Sequence, residues 1–600
     1  MKIKIKNYLL ALCSALTLVI NWQDIYFEGL KTILDYKLIL VFLLSLIIGY
    51  VYNRFKENKT KYSKILAFIF CLFMLIGNSY INFGTIEGLY RLDMLPWTII
   101  KAIGFYTILE FIINFIQNNI GKLQCQSEVK ENKFIKIFNK YPLLTCMSVL
   151  ALSWLLYYIA FYPIILSPDP SFQIKQFLGE RTKYLDYSIQ LDESVTITNH
   201  HPVFHTLLIG GFTKLGMLIG NDNFGLFLYS LIQGIFMAFT LSKTICLLKE
   251  KKIKNRYLLL ILAIYALVPM FPLYAINGNK DVYYSMFVLW LFMIIFKYLD
   301  TKKDIKLSFI DLLTWFFVLM FICLFRNNGI YLIIILFPCV LFYKKVNIKK
   351  MASVFILVIS LFYSYQKILL PALGITEGSV RETLSIFFQQ TARYVINHEE
   401  DLTNEEKNII GTIINYDNIK SGYDPEISDP IKNTFNKYAT KEDLKEYFNI
   451  WFKGLLTHPM TYIDATLNNT YGYFDPEGNN WYIYANYDTR ITNLVDYHFN
   501  DLNTLRSNLK SYANMFRYIP IIGLISNIGF SSWIVIAMGV WLLFNKKIEY
   551  LILLVPAYVS ILVCIASPVN TYFRYAMPYV FAIPFIVGTW FYINKKRISR

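Results

Sequence analysis

The chain has 600 residues, of which 56% are hydrophobic and only 16% are charged. Many of its apolar runs approach about 20 residues, the length that crosses a bilayer, so the composition excludes a soluble globular protein and predicts an all-α, multi-pass membrane protein. The formal net charge of +17 does not indicate a nucleic-acid partner, because the lysines and arginines cluster in short loops between apolar runs, as in the cytoplasmic loops of membrane proteins.

The first apolar run and the basic loops predict the orientation of the chain. Lysines at positions 2, 4 and 6 precede an apolar run that reaches Ile20, and no small-residue cleavage site follows, so this run is predicted to be an uncleaved first span. The apolar runs predict about 14 spans. If the amino terminus lies in the cytoplasm, all the basic loops and both termini fall on the cytoplasmic side of the plasma membrane. The predicted spans lie near residues 7–22, 37–53, 65–82, 95–116, 141–166, 223–247, 257–276, 283–299, 308–326, 330–343, 352–371, 516–544, 549–566 and 578–594.

These spans and loops divide the chain into four predicted regions. Residues 1–140 form an added four-span module, and residues 141–371 form a transmembrane core with a large external loop at 167–222. The polar region 372–515 is too long for a simple connector, so it is predicted to fold as a mainly helical external domain. Residues 516–600 then contribute the carboxy-terminal transmembrane helices.

One apolar segment of the external loop, Val203–Ile219, resembles a further span. Counting it as one would place the basic loop Lys249–Arg256 outside, against the charge bias of the other loops. Its Gly210-Gly211 pair and Lys214 favour an amphipathic helix that lies along the outer membrane interface. We therefore predict an interfacial helix in this loop.

Two carboxylates at the predicted ends of spans are candidates for catalysis. Asp169 stands between Pro168 and Pro170 directly after an apolar span, and the two prolines are expected to hold its backbone extended rather than helical. Asp281 follows Lys280 at the start of a later span. The alternatives are a helix cap or a turn role for Asp169 and a helix cap for Asp281. Paired carboxylates can divide base and electrostatic roles, or bind a divalent ion.

Three of the six histidines fall at positions 200, 201 and 205. His201 and His205 have the spacing of zinc ligands on one helix face, but no third ligand or Glu-x-x-His pattern accompanies them. We expect His200 and His201 to hydrogen-bond to a substrate or to Asp169. An interfacial histidine without a special role is the alternative.

Three basic residues lie on the predicted outer side, although this chain otherwise places its basic residues in cytoplasmic loops. Arg326 opens the tight turn Arg326-Asn327-Asn328-Gly329, Arg574 is isolated in a polar loop, and Lys280 precedes Asp281. A guanidinium at the membrane edge matches the geometry of a phosphate. Lys280, Arg326 and Arg574 are therefore predicted to bind a lipid-linked phosphate or diphosphate, with a simple turn or an arginine at a span end as the alternatives.

Together these motifs resemble the GT-C class of integral membrane glycosyltransferases, and more closely a group of Gram-positive bacterial membrane proteins assigned to that class. The resemblance covers roughly residues 141–600 and rests on short motifs: Ser167-Pro168-Asp169-Pro170, His200-His201-Pro202-Val203-Phe204-His205, Lys280-Asp281-Val282 and Arg574-Tyr575. It implies a GT-C-like transmembrane core in which an acidic residue of the first external loop is essential. Asp169 matches that position, and Asp281 matches the second acidic site of some members.

The resemblance implies transfer of a sugar from a polyprenyl phosphate or diphosphate to a glycan, lipid or protein acceptor outside the cytoplasm. Asp169 would accept a proton from the acceptor hydroxyl or orient it, while Lys280, Arg326 and Arg574 stabilise the departing phosphate. A metal, if one takes part, should be Mg²⁺ or Mn²⁺ on Asp169 and Asp281. One alternative is a surface-polysaccharide polymerase. Another is a lipid-linked sugar flippase or transporter, and a protein of that kind should have paired broken helices with acidic residues near the bilayer midplane.

Overall fold

The computed structural model describes residues 5–22, 37–55, 59–125, 131–188, 194–300, 307–343, 347–478 and 485–598. Within these ranges the regular structure is helical, with isolated β-bridges and no β-strand. This confirms the predicted all-α fold class. The α-helices of eight or more residues are α1 (Ile5–Val19), α2 (Lys37–Arg54), α3 (Lys61–Phe83), α4 (Leu95–Cys125), α5 (Lys133–Lys140), α6 (Pro142–Ala160), α7 (Pro168–Phe177), α8 (Val203–Ile219), α9 (Asp222–Glu250), α10 (Asn255–Leu267), α11 (Lys280–Leu299), α12 (Phe309–Phe325), α13 (Gly329–Leu341), α14 (Ile348–Ser364), α15 (Ser385–Asn397), α16 (Asn404–Ile413), α17 (Lys441–Thr457), α18 (Pro459–Asn468), α19 (Asn503–Phe516), α20 (Ile528–Phe544), α21 (Leu551–Ile565), α22 (Phe573–Val580) and α23 (Ile583–Ile598).

Nine helical segments of the described chain are long and apolar enough to cross a membrane, so the protein is a multi-pass membrane protein. All nine coincide with predicted spans: Lys37–Arg54, Lys61–Phe83, Leu95–Asn119, Pro142–Ala160, Asp222–Glu250, Lys280–Leu299, Ile348–Ala372, Ile548–Ile565 and Phe573–Asn594. Five other predicted spans coincide with the shorter apolar helices α1, α10, α12, α13 and α20. The total of about 14 spans therefore stays a prediction. Helix α8 has the bounds of the predicted interfacial helix.

Prolines divide two of the predicted spans. The predicted span 257–276 consists of α10 and a separate short helix, Met270–Ala275. Pro269 separates the two because the residue before a proline is driven out of the helical conformation. In the predicted span 516–544, the continuous helix is α20, which starts at Ile528. Pro520 and a 3-10 turn separate α20 from the end of α19.

Asp169 lies in a helix, so the expectation that its flanking prolines hold it extended is wrong. Pro168, Asp169 and Pro170 form the first turn of α7. Proline is tolerated in this turn because its fixed φ suits a helix and its missing N–H would have no intrahelical acceptor. The carboxylate therefore stands at the positive end of a helix, where a negative charge is favoured.

Helix α11 lies at the centre of the membrane part. It is apolar along most of its length, and 17 of its 20 residues are buried, as expected of a helix that packs on all sides. It contacts α9, α12, α21 and α22. This packing places its first two residues, Lys280 and Asp281, inside the protein, where both are buried.

Helix α3 connects the amino-terminal helices to the rest of the molecule. Phe70 stacks on Trp533 of α20 with ring centroids 4.3 Å apart. At the other end of α3, the Tyr80 hydroxyl donates to Asp464 Oδ1 of α18 at 2.8 Å. The polar region that includes α18 has a hydrophobic cluster of its own, around Phe388, so it folds on its own core while it is attached to α3.

Candidate functional site

A cavity of about 720 Å³ brings together residues that are far apart in the chain. Its walls come from the first turns of α7 and α11, the loop before α8, the turn between α12 and α13, the turn before α22, and part of the polar region. All seven residues that the sequence suggested as catalytic or phosphate-binding line this cavity: Asp169, His200, His201, Lys280, Asp281, Arg326 and Arg574. Their roles stay predictions, but their meeting in one place does not depend on the assumed membrane topology.

Asp169 is held between two cations in the cavity wall. Its Oδ2 accepts hydrogen bonds from Lys280 Nζ at 2.9 Å and from Arg574 Nη1 at 2.5 Å, the latter across 405 positions of sequence. Burial by itself would raise the pKa of Asp169, but the charges of Arg574 and Lys280 outweigh it and hold this pKa well below its usual range. The carboxylate is therefore ionised at neutral pH and is a weak base in this arrangement.

His201 contacts the same ion pairs. Its Nδ1 lies 3.2 Å from Lys280 Nζ and 3.9 Å from Asp169 Oδ2. An ammonium can only donate, so Nδ1 accepts and the ring proton belongs on Nε2. Burial and the charge of Lys280 lower the pKa of His201 well below its usual value, which keeps the ring neutral. Its Nε2 is buried without a hydrogen-bond partner among the described residues.

Asp281 and Arg326 form a second buried pair. Arg326 Nε lies 3.2 Å from Asp281 Oδ1, and the guanidinium stands over the rings of Tyr284 and Tyr575. Both carboxylate oxygens of Asp281 are buried without a hydrogen bond in the part of the chain that the structure describes. The cap of α11 is Asn279, whose side chain accepts from the Asp281 N–H at 3.1 Å. The alternative in which Asp281 is the helix cap is therefore wrong.

His200 and His205 have different surroundings. His200 stacks on Tyr184 with centroids 4.1 Å apart, and burial lowers its pKa to about 4, so it is neutral at the cavity wall. His205 Nδ1 lies 2.9 Å from Gln173 Oε1, and its Nε2 lies 2.7 Å from the Tyr229 hydroxyl. Both ring nitrogens of His205 are used in these hydrogen bonds, so the zinc-like spacing from His201 does not produce a metal site.

The polar region contributes charged residues that sequence reasoning missed. The guanidinium of Arg381 lies 3.2 Å from the centroid of the Tyr187 ring, and its Nη1 donates to Asn433 at 3.0 Å. Lys432 Nζ donates to Glu382 Oε2 at 2.9 Å. All of these residues line the cavity. No signal in the sequence distinguishes them, because charged residues are ordinary in a region with the composition of a soluble domain.

Three amide side chains connect the walls of the cavity. The Asn199 side-chain N–H donates to Gln366 Oε1, Gln366 donates to Asn327 at 3.2 Å, and Asn327 donates to the Asn199 carbonyl at 2.9 Å. Gln366 stands in a π-helical turn, Tyr365–Leu369, that follows α14. Such turns often occur at functional sites. The ring of amides fixes the loop of His200 relative to the turn of Arg326.

The charge of the cavity suits an anion better than a divalent cation. Among the described residues, seven basic and five acidic side chains line it. A divalent cation on Asp169 and Asp281 would have to displace the Lys280 ammonium and the guanidinium of Arg574 or Arg326, which already face those carboxylates. The arrangement therefore fits Mg²⁺ or Mn²⁺ poorly, whereas a phosphate would be attracted by the excess of cations.

Comparison with known proteins gives one match. A model described as a family of unknown function (DUF6020) matches residues 187–600, which is more than half of the chain. No curated protein and no solved structure matches the chain. The matched part includes His200, Lys280 and Arg574 but begins after Asp169.

Proposed function

The chain belongs to this family of unknown function (DUF6020), and we propose that it is a GT-C type glycosyltransferase that moves a sugar from a polyprenyl-phosphate donor to an acceptor outside the cytoplasm. One observation carries the proposal: a buried carboxylate, Asp169, is held by Lys280 and Arg574 in a cavity bounded by the ends of apolar helices. This arrangement combines a potential base with cations that can receive a leaving phosphate.

The donor phosphate would bind at Lys280 and Arg574, with Arg326 beside them. Both Lys280 and Arg574 line the cavity, so a phosphate that enters it would meet an ammonium and a guanidinium. A guanidinium and an ammonium together can contact several oxygens of one phosphate. Asp281 would act by holding Arg326 in position.

The lipid tail of the donor has a path along α13. Tyr331 lines the cavity, and Tyr331, Ile334 and Ile335 are exposed large hydrophobic residues of this helix. Their spacing places them on one helix face. A polyprenyl chain lying against this face would remain in the bilayer while its phosphate enters the cavity, which explains why an enzyme acting outside the cytoplasm needs a membrane fold.

Donor binding would change the basicity of Asp169. A phosphate at Lys280 and Arg574 competes for the two cations that hold the pKa of Asp169 below its usual range, so its basicity rises once the donor is bound. The acceptor hydroxyl oxygen then attacks the anomeric carbon, and its proton passes to Asp169. The bond from the anomeric carbon to the phosphate oxygen breaks with inversion, and the polyprenyl phosphate leaves with its charge on Lys280 and Arg574.

A surface-polysaccharide polymerase is a second candidate, because Arg326, Arg381 and Arg574 in one cavity would also suit the diphosphate of a lipid-linked oligosaccharide. The distinction lies in the donor. Purified protein in nanodiscs is incubated with a cell-envelope glycan extract as the acceptor and with either a polyprenyl-phosphate monosaccharide or a polyprenyl-diphosphate oligosaccharide. The released lipid phosphate or diphosphate is then measured.

We expect consumption of the monophosphate donor, loss of that activity in Asp169→Asn, and retention in Asp417→Asn, a matched change at an exposed site. Consumption of the diphosphate donor alone would favour the polymerase. Movement of an intact lipid-linked sugar across liposome membranes, without consumption of either donor, would favour a flippase.

A further inference from the structure

A second cluster of chemically capable side chains lies in the polar region, apart from the cavity. His398 is the residue that follows α15, His458 joins α17 to α18, and Asp401 closes the short turn after His398. The ligand atoms of these three side chains all lie within 4.8 Å of one another. None of the three lines the cavity.

The geometry brings two imidazole rings and one carboxylate close together. His458 Nε2 lies 2.9 Å from Asp401 Oδ2, and His398 Nδ1 lies 4.0 Å from the same oxygen. The two imidazole rings are stacked with centroids 3.8 Å apart. His398 Nε2 lies 2.9 Å from Thr461 Oγ1, so a proton on Nε2 can be donated to that hydroxyl while Nδ1 keeps its lone pair toward Asp401.

This arrangement is the one that a metal-binding histidine usually shows, with one ring nitrogen on the ion and the other in a hydrogen bond that fixes the ring. The three side chains are 26%, 48% and 28% exposed for His398, Asp401 and His458, so an ion can reach them from solvent.

We propose that His398, Asp401 and His458 bind a divalent transition metal, with Zn²⁺ as the best-fitting ion. Two imidazole nitrogens and one carboxylate oxygen are a ligand set that Zn²⁺ accepts, with water as the fourth ligand. Mg²⁺ and Ca²⁺ prefer sites made of oxygen atoms. The proposal does not rest on the glycosyltransferase activity.

The ion would join two parts of the polar region and stabilise their attachment to the membrane helices. It would connect the end of α15 to the start of α18. The same two helices contribute Arg393 and Asp464, which form an ion pair, and Asp464 also accepts hydrogen bonds from Tyr80 and from the Ile86 N–H at 2.8 Å each. A metal that links α15 to α18 would therefore help to keep these two helices attached to α3.

The test uses the full-length protein in detergent, stripped with a chelator and titrated with Zn²⁺. We expect one equivalent of Zn²⁺ by elemental analysis, a rise in melting temperature, and a tetrahedral visible spectrum when Co²⁺ replaces Zn²⁺. His398→Ala and His458→Ala should abolish stoichiometric binding. Thr461→Val should weaken binding by about 10- to 100-fold, as expected for loss of a hydrogen bond to a ligand.

The matched control is His498→Ala. His498 lies 3.2 Å from Asp496 but belongs to no group of three ligands among the described residues, so this variant should bind Zn²⁺ like the wild type. Absence of stoichiometric Zn²⁺ in the wild type, an equal effect of Mg²⁺, or full binding by His398→Ala would each overturn the proposal. If the alanine variants do not fold, Co²⁺ spectra of the wild type and of Thr461→Val decide.

Discussion

Asp169 is the residue on which the proposed transfer depends, and Lys280 and Arg574 hold its carboxylate in the cavity wall. A carboxylate between prolines at the end of an apolar span stands out in an apolar chain, and so do Lys280 and Arg574 outside the basic loops. Their direct contact could not be predicted, because 405 positions separate Asp169 from Arg574 and no local pattern encodes that pairing. Burial would raise the pKa of Asp169, and the contact with Arg574 and Lys280 lowers it. This low pKa therefore could not be predicted without knowing the contact.

Replacing Asp169 by Asn should abolish transfer and also reduce stability. Lys280 and Arg574 would lose a buried partner, a change that typically costs about 3–5 kcal/mol, so the melting temperature in detergent should fall. Adding Lys280→Met removes one of the two stranded charges, and the double variant should regain part of the stability but none of the activity. A single variant as stable as the wild type would contradict the observed ion pairs.

Arg574→Ala and Arg574→Lys should differ in donor use. Alanine removes the phosphate contact and should slow turnover by about 10²–10³, the usual effect of losing one transition-state donor. Lysine keeps a charge near Asp169 but cannot form two parallel hydrogen bonds to a phosphate, so it should recover only part of the rate. Equal and mild effects of both substitutions would exclude a phosphate role for Arg574.

Helices were predictable where hydrophobicity alone decides them. In the part of the chain that the structure describes, all nine segments long enough to cross a membrane lie at predicted spans, since a long apolar run leaves the backbone few alternatives in a bilayer. The errors occur at prolines. Pro269 and Pro520 divide predicted spans, whereas Pro168 begins α7 instead of preventing it, because the effect of a proline depends on its position in the helix.

Asp464 is the residue through which α18 is attached to α3, and its replacement tests this attachment. It accepts hydrogen bonds from the Tyr80 hydroxyl and the Ile86 N–H and pairs with Arg393. Asp464→Ala should therefore lower the stability of the full-length protein by about 3 kcal/mol or more. The control Asp443→Ala removes only an exposed helix-capping carboxylate of α17 and should lower the stability clearly less. Equal thermal shifts for the two variants would show that Asp464 does not anchor the helix.

The sidedness of the molecule stays a prediction that rests on the charge bias of its loops. The cavity itself was not predictable, since it is formed by parts of the chain that are far apart in sequence and includes Arg381 and Lys432 from the polar region. The orientation decides which solution the cavity faces. If the predicted orientation holds, acceptors outside the cytoplasm can reach Asp169.

Single cysteines in a cysteine-free background test this orientation. Glu442 in the polar region and Lys349 in a predicted cytoplasmic loop are both exposed. In intact cells an impermeant thiol reagent should label Glu442→Cys and leave Lys349→Cys unlabelled until the membrane is permeabilised. The opposite pattern would invert the orientation and place the cavity in the cytoplasm.

The most direct test of the proposed activity is the pool of lipid-linked sugars in the host cell. Cells that carry the wild-type protein are compared with cells that carry Asp169→Asn at equal membrane abundance, and polyprenyl-phosphate sugars are quantified by mass spectrometry. One polyprenyl-phosphate monosaccharide should accumulate in the variant while the sugar content of the envelope falls correspondingly. Identical lipid-linked sugar pools in the two strains would contradict a glycosyltransferase that uses this donor.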